Sequence, residues 1–476
     1  MLAPQIFAAV TSTVLEAITG FHIGWPSSTL PKLLEDTSVP VTQDQASLIV
    51  SMMGLGGMTG PICVALTVDK WGRKTSMILG AIISLIAGIM TTFARSYWWY
   101  YVARFASGLG MGFTSVVIPM YLGEIAQDTR RGGLSILMAV LSNSGTVLVY
   151  CVGPWISVSV LSAFGILMPL VFLLLVPWIP ETPYFYTMKG KPELARKSLE
   201  FLRSTTDIGE EIEKIEKNVE FDLQHVGTLK TLLTDRGNRK ALLLTLVIIS
   251  AQQLSGITVI ASYGTTILNE VDSDISSSTA IIITGVVQLV VSILVTFFAD
   301  KIGRRPLLLG SMFFSMVFLT ALAVYFHLEA NGNDVSGISW LPATALVSFL
   351  CAFSAGLGGV TRSVISEIFS CNIKAYGTII TVIWTSVLFA VILQLYPNVV
   401  NNYGIHIAFY GFTICLAIFS IITFFYLPET NRKSFGEIQQ MLHKRSESNQ
   451  IMQPDPTPEC TRSNSVYCID IKNSIN

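Results

Sequence analysis

The sequence predicts an all-α membrane protein in which twelve transmembrane helices form two pseudo-symmetric halves of six. Its composition is 51% hydrophobic and 13% charged, with a mean hydropathy of +0.59, whereas soluble proteins usually carry about a quarter charged residues. This excludes a soluble globular enzyme, a disordered protein and a disulfide scaffold. The net charge of −1 provides no basic field for nucleic acid. The other two observations are twelve long apolar runs and a set of motifs that occurs twice.

Each apolar run is long enough to cross a bilayer, and runs of this length must satisfy their backbone hydrogen bonds as helices. The strands of a transmembrane β-barrel would alternate polar and apolar residues instead. The runs lie at 4–25, 47–67, 75–94, 98–121, 133–153, 157–178, 240–263, 278–299, 306–328, 341–367, 377–397 and 404–427.

The charges divide the chain into four parts. Segment 181–240 carries 11 basic and 11 acidic residues. We therefore expect a six-helix half at 1–180, a cytosolic helical linker at 181–239, a second half at 240–438 and a disordered cytosolic tail at 439–476. The connections on one side of the predicted bundle hold eleven Lys or Arg, against Lys32 and Arg95 on the other. This positive-inside bias predicts that both termini are cytosolic.

The linker contains apolar residues at helical spacing. They are Leu194, Ala195, Leu199 and Leu202, followed by Ile208, Ile212, Ile215 and Val219. Such a stripe favours a cytosolic latch between the halves. A solvated linker is the alternative.

Three motifs occur in both halves in the same order. Asp69–Lys74 is repeated at Asp300–Arg305, Glu124-Ile125 at Glu367-Ile368, and Pro180-Glu181-Thr182 at Pro428-Glu429-Thr430. Duplicated halves of this kind build alternating-access transporters. Opposite charges at a partly dry helix seam attract strongly, so we interpret the charged residues of these motifs as an inner gate. The alternative is that the basic residues only set the orientation of the helices in the membrane. The predicted gating residues are Asp69, Arg73, Lys74, Arg104, Glu124, Arg131, Glu181, Asp300, Arg304, Arg305, Glu367, Lys374 and Glu429.

These motifs, together with Arg104-x-x-x-Gly108 and Gln252–Ile257, resemble the sugar-porter family of the major facilitator superfamily over residues 4–440. The stretch Gly20–Trp25 and Asn143 are similar to insect facilitated trehalose transporters. The resemblance implies the 6+6 major facilitator fold and a central cavity that binds sugar. The implied substrate-binding residues are Gln252, Gln253, Thr258, Tyr263, Gln288, Arg362, Thr385, Asn143, His22 and Trp25.

Gln252 and Gln253 are the candidates that the residues themselves favour. Amides donate and accept hydrogen bonds, which suits hydroxyl-rich ligands, and they are costly inside a membrane span unless used. Bonds to neighbouring helices are the alternative. The sequence departs from the family at Thr258, Ser262, Thr385 and Ala139, and most clearly at 358–362, where Gly-Gly-Val-Thr-Arg replaces Gly-Pro-x-Pro-Trp.

Arg362 is a cation inside an apolar span, so it must face water, a partner or an anionic ligand. It could pair with Glu16, donate to sugar hydroxyls, or select a substrate that carries a carboxylate or phosphate.

The function that follows is facilitative transport of a hexose or a trehalose-like disaccharide across the plasma membrane. It needs no cofactor and no metal; its partners are the sugar and the lipid bilayer, and a monomer suffices. A non-transporting sugar sensor or scaffold is one alternative. A proton-coupled symporter is another, since His22 stands where symporters of the family carry Asp, and histidine titrates near neutrality. The five histidines have no metal-binding spacing and no nucleophile motif occurs, so we expect no enzyme.

Overall fold

The structure is a computed structural model that describes residues 3–36, 39–127, 131–224, 229–270, 276–369 and 373–429. These ranges contain eighteen α-helices and no strand. Twelve candidate membrane spans are long and apolar enough to cross a bilayer. They follow the twelve predicted runs in number and order. The predicted tail at 439–476 lies outside the described residues.

The first half contains one helix for each of its six spans. Short 3₁₀ turns at Gly153–Trp155 and Val176–Trp178 follow the last two of them. The helices are α1 (Ala3–Glu35), α2 (Gln43–Trp71), α3 (Arg73–Thr92), α4 (Tyr97–Ile125), α5 (Arg131–Val152) and α6 (Val158–Leu175).

The second half has two interrupted spans. Span seven consists of α11 and α12, and span ten consists of α15, a π-helical segment and α16. The bounds are α11 (Arg236–Leu254), α12 (Ile257–Asn269), α13 (Ser277–Ile302), α14 (Arg304–Ala330), α15 (Leu341–Phe353), the π segment (Ser354–Gly358), α16 (Val360–Ile368), α17 (Lys374–Tyr403) and α18 (Ile405–Tyr426).

Four short helices join the halves: α7 (Pro183–Met188), α8 (Pro192–Arg203), α9 (Gly209–Gln224) and α10 (Leu229–Thr234). We call these helices the connector, the end of the bundle beside them the connector end, and the other end the opposite end. The apolar stripe is buried at Ala195, Leu199 and Leu202. Arg203 donates to the Ile125 carbonyl at 3.1 Å and pairs with Glu211 at 2.6 Å. The connector is therefore packed against the end of α4.

The first helix is longer than its apolar run, which ends at residue 25. It continues to Glu35 although Pro26 and Pro31 lie within it. Lys32 donates to the carbonyl oxygens of Gly153, Pro154 and Ile156 at 2.6, 3.0 and 2.6 Å. These bonds hold the last turns of α1 against the end of α5, which hydropathy alone does not reveal.

Hydrogen bonds between the two halves lie near the opposite end. Ser27 on α1 bonds to Thr265 on α12 at 3.0 Å, Tyr150 on α5 donates to the Ala261 carbonyl on α12 at 3.0 Å, and Ser51 on α2 donates to Gln394 on α17 at 2.9 Å. The helix pairs α1–α12, α5–α13 and α2–α17 make most of the contact between the halves. Hydrogen bonds thus join the two halves at the opposite end, which is the end away from the connector.

Candidate functional site

The connector end of the first half contains a buried ion-pair cluster around Arg73, which is 2% exposed. Its guanidinium donates to Glu124 at 2.9 Å and to Asp69 at 3.2 Å, and it lies over the ring of Phe185 in α7. Glu124 also accepts a hydrogen bond from Thr182 at 2.5 Å. The cluster therefore ties α2, α3 and α4 to the start of the connector.

Glu181 has a different role from the salt-bridging one that the sequence suggests. Its carboxylate accepts from the backbone N–H of Lys74 at 2.9 Å, in the first turn of α3, and from that of Thr182 at 2.9 Å. A carboxylate at a helix N-terminus satisfies unpaired N–H groups and complements the helix dipole. Burial raises the pKa of the Glu181 carboxyl, and these two hydrogen bonds oppose that rise.

The second half repeats this cap. Glu429 accepts from the backbone N–H groups of Arg304 and Arg305 at 3.0 and 3.1 Å, at the start of α14. Gly72 and Gly303, which precede α3 and α14, have φ values of +97° and +101°. A Cβ at either position would crowd the capping carboxylate. The glycine of the repeated motif is therefore required by both backbone conformation and space.

The remaining predicted gating residues divide into three groups. Lys74 donates its ammonium to the Ile179 carbonyl at 2.8 Å, and Arg305 donates to that of Phe424 at 2.7 Å. Lys374 begins α17 and is exposed. The side chains of Arg131, Asp300 and Glu367 lie outside the part of the chain that the structure describes.

Arg104 does not lie with the charged cluster, in contrast to the prediction from sequence. It is 1% exposed in α4, donates to the His22 carbonyl at 2.7 Å and lies 5.5 Å from the Trp25 ring centroid. Trp25 donates to Ser162 at 3.0 Å and is 1% exposed. His22 is 5% exposed. His22 and Trp25, predicted to bind substrate, thus pack within the first half among α1, α4 and α6.

Span seven breaks directly after the two glutamines. Gly256 adopts a φ of +81°, and a Cβ there would crowd the ring of Phe412. Ser255 donates its hydroxyl to the Gln252 carbonyl at 2.7 Å. The break separates α11 from α12 inside the membrane. Interrupted helices of this kind form substrate sites in transporters with repeated halves.

Span ten is interrupted next to this break, by the π segment. Gln252 donates its side-chain N–H to the Leu357 carbonyl at 2.8 Å, and Leu357 donates its backbone N–H to Ser311 at 3.0 Å. The side-chain nitrogen of Gln252 therefore bonds to a neighbouring helix, which is the alternative to sugar contact that the sequence left open. π-Helical turns are frequent at functional sites because they realign the residues that follow.

Three buried polar atoms near the break in span seven have no hydrogen-bond partner within the described ranges: Gln253 Oε1, Thr258 Oγ1 and Ser262 Oγ. Buried polar groups are nearly always paired, so each such atom needs an explanation. A hydroxyl-rich ligand can supply the missing bonds. Ser262 is absent from the sequence-based site, where it marks only a departure from the family, because no pattern in a single sequence shows an unpaired hydroxyl.

Tyr263 and Thr385 already have partners in this structure. Tyr263 donates to the Leu393 carbonyl at 3.3 Å, and its ring centroid lies 5.2 Å from that of Tyr396. Thr385 donates to the Thr381 carbonyl in its own helix at 2.8 Å. Both hydroxyls retain acceptor capacity toward a ligand.

Asn143 and Gln288 lie at matching depths on facing helices. A Cβ on Gly285 of α13 would contact Tyr150 and Val147 of α5. Asn143 lies one turn from Val147, and Gln288 lies one turn from Gly285, both toward the connector end. Residues one turn apart share a helix face, and both amides are half-buried. The structure therefore places one amide from each half beside the α5–α13 contact.

Arg362 and its predicted partner Glu16 lie in different halves of the protein. Arg362 lies in α16, one turn after the π segment, and is exposed. Glu16 lies in α1 and is 3% exposed. All three predicted roles of Arg362 stay predictions.

Comparison with known proteins identifies the family. A model of the family described as "Sugar (and other) transporter" matches residues 6–442. The chain belongs to this sugar transporter family. The fold class and the family resemblance predicted from the sequence are confirmed, and the transporter is a multi-pass membrane protein.

Among its relatives is the facilitated trehalose transporter Tret1 of Polypedilum vanderplanki. It is 30% identical over 445 residues, which cover 93% of this chain and 88% of that protein. The protein of the same name from Culex quinquefasciatus is 30% identical over 442 residues, covering 92% of this chain and 86% of that one.

Solved structures of the Escherichia coli xylose transporter XylE share the fold. A partially occluded inward-open conformation has a TM-score of 0.76 at 20% identity, covering 91% of this chain and all of that one. The proton:xylose symporter XylE bound to 6-bromo-6-deoxy-D-glucose also gives a TM-score of 0.76 at 20% identity, with 92% and 99% covered.

Proposed function

We propose that this transporter carries an uncoupled flux of sugar, a hexose or a trehalose-like disaccharide, across the plasma membrane by alternating access. Both termini and the connector lie in the cytosol in this proposal, in line with the distribution of Lys and Arg. A monomer is sufficient, because both halves and the space between them belong to one chain.

The observation that carries the proposal is the unpaired polar stripe of Gln253, Thr258 and Ser262 beside a broken span. Such groups are costly in a membrane protein unless a ligand or water completes them. The stripe lies in span seven, and the second helix of this span, α12, contacts α1 of the other half. A ligand bound there would therefore touch the boundary along which the halves rock.

Uptake by the purified protein in liposomes tests this proposal. Proteoliposomes preloaded with unlabelled trehalose or glucose are expected to accumulate the labelled sugar transiently above its equilibrium level, without any ion gradient. This counterflow is expected because the unlabelled sugar inside the liposomes competes with the labelled sugar for transport outward. Labelled sugar therefore enters faster than it leaves until the unlabelled sugar has been diluted. Liposomes without protein serve as the control.

Two other outcomes would contradict uncoupled transport. A sensor or scaffold would bind sugar, seen as a rise in melting temperature, yet give no counterflow with any hexose or disaccharide. A proton symporter would show sugar-induced alkalinisation of the medium, and its accumulation of sugar would follow an imposed pH gradient.

A further inference from the structure

Pro26 leaves one backbone carbonyl of α1 without its helical partner. In an α-helix each carbonyl oxygen accepts a hydrogen bond from the N–H four residues later, and proline has no N–H. The carbonyl that Pro26 leaves free is that of His22 in the same helix. His22 is buried inside a membrane span, where the bilayer core offers no water for the missing bond. The His22 carbonyl therefore needs a donor from another helix.

Arg104 of α4 supplies that donor. Its Nη1 lies 2.7 Å from the His22 carbonyl oxygen, whereas its Nε and Nη2 have no hydrogen-bond partner within the described ranges. The guanidinium also lies over the Trp25 ring, with 5.5 Å between its Cζ and the ring centroid, and such cation–π contact stabilises a desolvated cation. Both of these contacts are made to the turn of α1 that Pro26 interrupts.

The burial of Arg104 needs this explanation because no ion pair to it occurs among the described residues. A guanidinium that is 1% exposed carries a large desolvation cost. A buried carbonyl without a donor is costly as well. The hydrogen bond between Arg104 and His22 reduces both costs at once, so the arginine and the proline depend on each other.

The interrupted turn lies directly before the contact between the halves. Ser27, the residue after Pro26, bonds to Thr265 of the second half at 3.0 Å. An interior proline favours a bend in the helix, because its ring clashes with the carbonyl four residues earlier. Arg104 holds that same carbonyl. It therefore acts on the direction of the last turns of α1, which brings Ser27 to Thr265.

We propose that Arg104 is a positioning residue for transport, which takes the place of the N–H that Pro26 lacks and holds the last turns of α1 where they close the opposite end of the protein. The inference rests on the proposed transport of sugar and adds a role for a buried cation that lies outside the candidate sugar site.

A double-mutant cycle tests this dependence. Arg104→Met is expected to lower counterflow in proteoliposomes about tenfold, since an unpaired buried carbonyl destabilises the closed conformation by about that factor. Pro26→Ala gives the second background, in which position 26 regains an N–H for the His22 carbonyl. In that background Arg104→Met should lower counterflow less than about twofold, because effects on a shared partner do not add.

The matched control is Pro31→Ala, which changes the other interior proline of α1. Pro31 leaves the Ser27 carbonyl free, and the hydrogen bond of Arg104 goes to His22 instead. Arg104→Met should therefore lower counterflow about tenfold in the Pro31→Ala background, as it does in the wild type.

Melting temperatures of the same proteins give a second measurement, which does not require transport. Arg104→Met should lower the melting temperature more in the wild type and in Pro31→Ala than in Pro26→Ala. If Arg104→Met does not fold by itself, the proposal predicts that Pro26→Ala restores a folded protein and that Pro31→Ala does not.

An equal loss of counterflow on Arg104→Met in the wild type and in Pro26→Ala would overturn the proposal, even if the melting temperatures differ, because the cap would then be structural only. Unchanged counterflow in Arg104→Met, no counterflow in Pro26→Ala, or a double variant that stays unfolded would overturn it too. Failure of the proposed function looks different: the wild type itself would give no counterflow of any sugar, while the melting temperatures would still show whether Arg104 depends on Pro26.

Discussion

Gly54→Val is expected to abolish transport while leaving each half folded. Gly54 lies in α2, and a Cβ at this position would lie 2.7 Å from the Ala390 Cβ and backbone nitrogen and 2.8 Å from the Ser386 carbonyl oxygen. These atoms belong to α17 of the other half, so the added side chain clashes only while the opposite end is closed. Overpacking of this kind costs about 3 kcal/mol, which lowers the population of the closed conformation about 100-fold.

The measurement is counterflow in proteoliposomes, together with the melting temperature of the variant. The control is Gly310→Val in α14, since nothing lies within 4 Å of a Cβ at Gly310; it should transport and melt like the wild type. Transport by Gly54→Val at the rate of Gly310→Val would show that closure of α2 on α17 is not required.

Replacing Arg73 by methionine is expected to cause the second large effect, a loss of stability of about 3–5 kcal/mol. The substitution leaves the Glu124 carboxylate, whose side chain is 15% exposed, without its guanidinium. Removing one partner of a buried ion pair leaves an uncompensated charge, and this penalty exceeds the attraction that is lost. Because the cluster ties α2, α3 and α4 to the connector, transport should slow as well.

Thermal unfolding in detergent measures this loss. Arg196→Met is the matched control: it breaks the Arg196–Glu200 pair in α8, whose side chains are 60% and 31% exposed. Exposed pairs of this kind contribute less than about 1 kcal/mol. Glu124→Gln added to Arg73→Met removes the stranded charge and should recover part of the stability. Equal melting temperatures for Arg73→Met and Arg196→Met would contradict the conclusion that the buried pair of Arg73 and Glu124 stabilises the protein.

The sequence predicts the helices of this protein well because their signal is local. A bilayer requires long apolar runs, and twelve such runs become twelve spans. Duplicated motifs also carry local information, since Gly72 and Gly303 adopt the same positive-φ backbone conformation before equivalent helices. The π segment is not predicted, because the break depends on Gln252 and Ser311 from other helices.

The candidate site is less predictable, since it depends on which neighbours a side chain meets. The sequence suggests a salt bridge for Glu181, yet its carboxylate accepts from the backbone N–H of Lys74, 107 residues away. The charge of Arg104 suggests a gate residue, but its partner is the His22 carbonyl. A charge in a sequence reveals that a partner is needed; it does not identify that partner.

Alternating access itself is tested most directly by measuring distances at both ends of one helix pair. In a background without native cysteines, spin labels at positions 44 and 402 report on the opposite end of α2 and α17, and labels at positions 70 and 376 report on the connector end. Alternating access predicts that added sugar redistributes both distances in opposite senses, so that the 44–402 distance lengthens as the 70–376 distance shortens. Distances that both stay fixed, or that lengthen together, would contradict it.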